Sequence, residues 1–141
     1  MTSKYLGFPA RLCQREQPWI LAVDDDEDNL LLLTYVLQQL GYQVIGTTES
    51  DDVLPLALSY QPQLILLDII LPKTDGFEIL RDLRQNQQTC QITVIATTGL
   101  AFPEDRKRLL LAGFNDYIGK PYLISDLEVL IGQYLKASLL P

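Results

Sequence analysis

Four short apolar runs in this chain end in residues that could do chemistry together. Asp24 and Asp25 follow the first, Asp68 follows another, Thr97 and Thr98 close a third, and Lys120 with Pro121 follows the last. Brought together, these would be three carboxylates, two hydroxyls and one ammonium. Two bare carboxylates about 4 Å apart repel by roughly 4 kcal/mol at an effective dielectric near 20. A cation must offset that repulsion. An all-oxygen ligand set without His or Cys selects Mg²⁺, or Mn²⁺, over zinc. Lys120 adds a second, mobile positive charge suited to a phosphate oxygen. The Thr98 hydroxyl can donate to another. Asp68 is the natural nucleophile, since aspartyl phosphates are a known covalent intermediate type. Cation and lysine would stabilise charge on a transferring phosphoryl group.

The elements that must position these groups are legible in the pattern. Buried strands are expected at Trp19–Val23, Gln43–Gly46, Leu64–Leu67, Thr93–Thr97 and Asp116–Ile118, each a short apolar run bounded by turn signals. Helix-length segments alternate with them. Asn29–Leu40 is apolar at Leu30, Leu33, Val36, Leu37 and Leu40, one helical face, and Gly41 follows as a stop. Four leucines in a row, Leu30–Leu33, cannot all face inward, so part of that run is a candidate apolar docking patch. Gly76–Arg84, Glu104–Ala112 and Ser125–Lys136 supply further helices, with Gly113 a stop and Ser125 an N-cap. Between the second and third strands, Ser50-Asp51-Asp52 looks like a helix start, but Pro55 lies a few residues in. Proline has no N–H to donate once the first turn is past, so this helix should start late, near Val53, or be distorted.

The order is β-α five times, which implies a doubly wound α/β sandwich with a central parallel sheet. Ligands in such folds bind beyond the carboxyl ends of the strands. The acids, threonines and lysine all fall at those ends and so share one rim.

Composition narrows the function classes. The 141 residues fit one domain, read as a single unit at 19–138 after an extension at 1–18 that lacks periodicity. The net charge is −7, which argues against direct nucleic-acid binding. The chain contains no histidine. A histidine-based triad, a His-ligated zinc site and a self-made phosphohistidine are therefore excluded. No long apolar segment predicts membrane insertion, and no signal peptide is read. Two cysteines, Cys13 and Cys90, suit reduced thiols in a cytoplasmic protein.

The motifs resemble those of bacterial two-component response-regulator receiver domains. Ile20-Leu-Ala-Val-Asp-Asp-Asp-Glu-Asp-Asn29 is similar to that family's opening strand and acid pair. Leu64-Ile-Leu-Leu-Asp-Ile-Ile-Leu-Pro-Lys-Thr-Asp-Gly-Phe-Glu78 is similar to its acceptor strand and following turn. Val94–Gly99 and Asp116–Pro121 are similar to its last two motifs. The resemblance covers roughly Trp19 to Leu135 and implies the CheY-like strand order 2-1-3-4-5. It implies Asp68 as phosphoacceptor. It implies Asp24, Asp25, Asp68 and the Ile70 carbonyl as Mg²⁺ ligands, and Lys120 as the phosphate partner. Thr98 and Tyr117 would be the switch pair, and Lys120–Pro121 a cis peptide. Positions two past the acceptor and two past the switch threonine tune attack by water in this family. Here they are Ile70 and Leu100, neither able to orient water, so a slowly lost phosphoryl group is expected.

Partners follow from the same resemblance. A histidine kinase or histidine phosphotransfer protein must supply the phosphate. Output would run through the face of the fourth helix, fifth strand and fifth helix, to a target protein or a second copy. No enzymatic turnover beyond self-catalysed transfer and slow loss is expected. Two alternatives stay open. One is a pseudo-receiver that only binds. The other is an Asp-nucleophile, Mg²⁺-dependent phosphatase of the haloacid-dehalogenase type. That type typically needs a second acid two residues after the nucleophile, where this chain has Ile70.

Overall fold

A computed structural model describes residues 19–99 and 103–139. Five strands alternate with five helices: β1 (Trp19–Val23), α1 (Glu27–Gln39), β2 (Gln43–Thr47), α2 (Val53–Tyr60), β3 (Leu64–Asp68), α3 (Gly76–Gln85), β4 (Thr93–Thr98), α4 (Pro103–Ala112), β5 (Asp116–Gly119) and α5 (Ile124–Leu139). All strand pairs are parallel and the order is β2-β1-β3-β4-β5. After β1 the chain steps to one side for β2 and to the other for β3. This reversal opens a crevice at the carboxyl ends of β1 and β3.

The period of two along each strand sorts the core into two layers. Ile20, Ala22, Val44, Leu64, Leu66 and Ile95 face α1 and α5, where Leu30, Leu33, Leu37, Leu127, Ile131 and Leu135 meet them. Leu21, Val23, Ile45, Ile65, Leu67, Val94 and Ala96 face the opposite way. There Val53, Leu56, Leu80, Leu83 and Leu109 of α2, α3 and α4 cover them. Every residue of β3 is buried, as a central strand covered on both faces requires.

Local chemistry sets the boundaries. The Asp26 side chain accepts from the Asp28 and Asn29 amides at 2.9 and 3.2 Å, so α1 starts at Glu27, two residues before the expected start at Asn29. Gly41 and Gly113, both at positive φ, follow α1 and α4. Ser50–Asp52 forms a 3-10 turn and the α-helix begins at Val53. That places Pro55 in the first turn, where its missing N–H has no partner to lose. Ser125 is not an N-cap. The Leu123 carbonyl already accepts from Asp126 and Leu127, so α5 begins at Ile124 and Ser125 lies inside its first turn. Of the leucine run, Leu30 and Leu33 are buried while Leu31 and Leu32 are about 60% exposed. The strands β2 to β5 each run one residue past their apolar stretch. Residues 1–18 and Leu100 lie outside the described residues.

Candidate functional site

Strand parity decides which side chains converge. Asp68 ends β3 with the parity of Leu64 and Leu66, and so faces the α1/α5 layer. Asp24 follows β1 with the parity of Ile20 and Ala22, and its amide still bonds the Thr47 carbonyl at 3.3 Å. Lys120 follows β5 with the parity of Ile118. The three meet. Lys120 Nζ lies 2.9 Å from Asp68 Oδ2 and 3.2 Å from Asp24 Oδ2. Backbone amides hold the other oxygens: Ile70 N–H donates to Asp68 Oδ1 at 3.1 Å, and Asp26 N–H to Asp24 Oδ1 at 2.9 Å. Both acids are thus locked in rotamer, and both are buried. Asp25 is exposed, yet one oxygen each of Asp24, Asp25 and Asp68 lie within 4.8 Å of one another.

The electrostatics are unbalanced. Burial pushes the Asp68 carboxyl above its ordinary value, and the Asp24 charge pushes the same way. The Lys120 ammonium and the Ile70 amide oppose both without cancelling them. Burial alone would lower the Lys120 pKa, but the hydrogen bonds and charges of Asp68 and Asp24 outweigh it and raise it. Lys120 therefore stays protonated, and one ammonium faces three carboxylates. The remaining deficit is close to two charges, in a pocket whose side-chain donors are all carboxylate oxygens. This matches a small, hard divalent cation.

Thr98 and Tyr117 occupy the opposite parity. Thr98 shares a face with Ala96, which pairs with Tyr117 across the β4–β5 ladder. Thr98 and Tyr117 are thus diagonal neighbours on the α2–α4 side of the sheet. Thr98 is buried, while Tyr117 is half-buried against that layer. The Lys120 amide donates to the Thr98 carbonyl at 2.6 Å, and the Lys120–Pro121 peptide is cis. One short segment therefore ties the hydroxyl to the ammonium. Ile70 stands at the rim, 64% exposed.

Two residues at the site were not singled out from the sequence. Gly76 bonds the Ile69 carbonyl through its amide at 2.7 Å. A Cβ there would lie 2.9 Å from both the Asp68 carbonyl oxygen and Ile69 Cα. Only glycine lets the β3–α3 turn fold back on the Asp68 backbone; the signal was Asp75-Gly76 shortly after the acid. Tyr122 is the other. Burial raises its phenol pKa, and the charges of Lys120, Asp24 and Asp68 all reach it. Its place two residues after Lys120 was the available clue.

The sequence matches the family described as response regulator receiver domain over residues 20–131. It is 36% identical over 118 residues to an uncharacterized 14.6 kDa protein of Leptolyngbya boryana, covering 84% of this chain and 90% of that one. It is 34% identical over 116 residues to the polar-differentiation response regulator DivK of Brucella ovis, covering 82% and 94%. Among solved structures, the receiver domain of a sensor histidine kinase from Pseudomonas aeruginosa PAO1 superposes with a TM-score of 0.77 at 29% identity, covering 86% of this chain and 99% of that one. That neighbour carries a magnesium ion coordinated in its active-site cleft.

Proposed function

The chain belongs to the response-regulator receiver family of two-component signalling, and we propose that it is a switch thrown by phosphorylation of Asp68. One observation carries the reading: two buried acids and a lysine at the ends of β1, β3 and β5, with a third acid beside them. The donor is another protein's phosphohistidine, since this chain has no histidine. An Asp68 carboxylate oxygen attacks phosphorus, the O–P bond forms, and the P–N bond to the donor imidazole breaks with its electron pair passing to nitrogen. Asp24, Asp25, Asp68 and the Ile70 carbonyl would hold Mg²⁺, which would neutralise charge on the phosphoryl oxygens. Lys120 exchanges its carboxylate partners for a phosphate oxygen.

Thr98, whose side chain starts on the α2–α4 side of the sheet, would turn its hydroxyl over the strand end to the phosphoryl group, and Tyr117, its diagonal neighbour on the sheet, changes rotamer with it. That movement reaches the face of α4, β5 and α5, the surface for a target or a second copy. Leu31, Leu32 and Tyr35, each about 60% exposed on α1, suit an apolar surface on the kinase or phosphotransfer partner. The apolar, exposed Ile70 orients no water, so the phosphoryl mark decays slowly.

Incubation with Mg²⁺ and a small phosphodonor, read by intact mass, tests this. A single-phosphate adduct that persists for hours and is absent in Asp68→Asn is expected. No adduct would point to a binding module without phosphorylation. Steady hydrolysis of a phosphoester would point to a phosphatase.

A further inference from the structure

The Ile70 carbonyl, proposed as a metal ligand, sits on the β3–α3 turn, and that turn is fastened at its base. The Gly76 amide donates to the Ile69 carbonyl at 2.7 Å, Ile70 and Asp75 form an isolated antiparallel bridge, and the Ile70 amide donates to Asp68 Oδ1 at 3.1 Å. Beyond that base lies a cavity of about 430 Å³. Its described lining is residues 69–75, Phe77 and Glu78 of the turn and the start of α3, plus a single residue from elsewhere, Arg108 of α4. The turn therefore borders an open hollow where close packing would otherwise fix its shape.

Arg108 supplies the missing hold. Its guanidinium carbon lies 4.6 Å from the centre of the Phe77 ring. The same ring meets Phe114 edge-on, with 5.6 Å between centroids and 85° between planes. Phe114 is buried in the turn from α4 to β5, its amide bonded to the Leu109 carbonyl. Phe77 is thus gripped by a cation on α4 and an aromatic edge just after it. It directly follows Gly76, whose backbone lies against the Asp68 carbonyl. The helix α4 has few anchors of its own: Leu109 is buried, but Leu110 and Leu111 are 42% and 79% exposed. Resting on the reading of Asp24, Asp25, Asp68 and the Ile70 carbonyl as metal ligands, we propose that Arg108 is a positioning residue for Mg²⁺, holding the β3–α3 turn through Phe77 in the shape that presents the Ile70 carbonyl. A ligand presented in advance costs less ordering when the ion binds. The coupling is reciprocal, so a partner that draws Arg108 off Phe77 weakens Mg²⁺ by the same factor by which Mg²⁺ weakens that partner.

Coulomb's law by itself predicts the opposite sign. Removing a positive charge near a bound dication can only favour the ion, so a weakened affinity cannot come from charge. The test titrates Mg²⁺ calorimetrically into the full chain, as wild type, Arg108→Gln and Arg108→Lys. Arg108 is exposed, so the fold tolerates both changes. Arg108→Gln should raise the Mg²⁺ dissociation constant about twofold to fivefold, the scale of an exposed cation–ring contact. Arg108→Lys should recover most of the loss, because an ammonium still sits over the ring. Urea unfolding at one fixed Mg²⁺ concentration separates this from a merely structural role: the rise in midpoint that Mg²⁺ gives should be smaller in Arg108→Gln than in the wild type. An unchanged or tighter dissociation constant in Arg108→Gln, with the midpoint lowered equally with and without Mg²⁺, overturns the proposal and leaves the metal reading intact. So does an Arg108→Lys variant that binds no better than Arg108→Gln. A wild type that binds no Mg²⁺ overturns the metal reading and the proposal with it.

Discussion

Replacing Asp68 with asparagine should stabilise the metal-free protein. The lost attraction to Lys120 at 2.9 Å is about 6 kcal/mol at an effective dielectric near 20. The lost repulsion from Asp24, whose oxygen lies within 4.8 Å, is at least about 3.5 kcal/mol on the same scale. Asp25 adds a smaller repulsion, because it is exposed and screened. The two repulsions together offset most of that attraction. What remains is the cost of burying a carboxylate, the same cause that pushes the Asp68 pKa up. A carboxyl whose pKa rises on folding is destabilising when ionised, so at neutral pH that cost is fully present. Asparagine keeps the shape and removes the charge. The expected gain is about 1–2 kcal/mol, read as a higher urea midpoint at unchanged slope in the presence of a chelator. Saturating Mg²⁺ should reverse the order: a ligand at 100 times its dissociation constant adds about 2.7 kcal/mol to the protein that binds it. Asp68→Asn, short of one ligand oxygen charge, gains less. If asparagine lowers the midpoint without metal, and Mg²⁺ shifts both proteins equally, the electrostatic reasoning is wrong.

Arg84 should be the most costly surface-accessible residue to truncate. Its guanidinium donates to the carbonyls of Cys90, Ile92 and Gly113 and to Asn115 Oδ1, at 2.7 to 3.0 Å, joining α3 to the turns before β4 and β5. Arg84→Ala should lose about 3–5 kcal/mol in urea unfolding, and Arg84→Lys should not restore it, because an ammonium cannot span the fork. Gly76→Ala should cost about 1–3 kcal/mol, since the Asp68 carbonyl oxygen and Ile69 Cα both meet the new Cβ. It should also slow Asp68 phosphorylation in the intact-mass assay. Alkaline titration gives a fourth check. Burial raises the Tyr42, Tyr122 and Tyr134 phenols; the Asp116 hydrogen bond adds to the effect at Tyr134. The folded state then holds protons that the unfolded chain releases above pH about 10, so stability should fall as pH rises past that value. Phenolate absorbance that rises at an ordinary tyrosine pKa for all seven tyrosines would refute this.

Much of this protein is legible in one dimension. The strand runs are apolar because they are covered on both faces, and the turns between them carry their own punctuation in Gly41, Pro55 and Gly113. The parallel order and the crevice follow from β-α alternation, so the acids at the strand ends could be gathered onto one rim before any coordinates. Helix starts were less legible. Asp26 and Leu123 set them through hydrogen bonds that the apolar pattern does not encode, which is why α1 and α5 begin earlier than their periodicity suggests.

The tertiary structure decided the rest. Parity at the strand ends separates Asp24, Asp68 and Lys120 from Thr98 and Tyr117, placing the charged cluster on one face of the sheet and the hydroxyl–aromatic pair on the other. The sequence contains those residues and their order, since charge and hydrogen-bonding capacity belong to the side chain itself. Burial, the Lys120 bridge, the backward fold at Gly76 and the Arg108 contact with Phe77 depend on which distant segments share a wall. Those contacts exist only once the sheet has assembled, and they turn three ordinary aspartates into one electrostatically strained site.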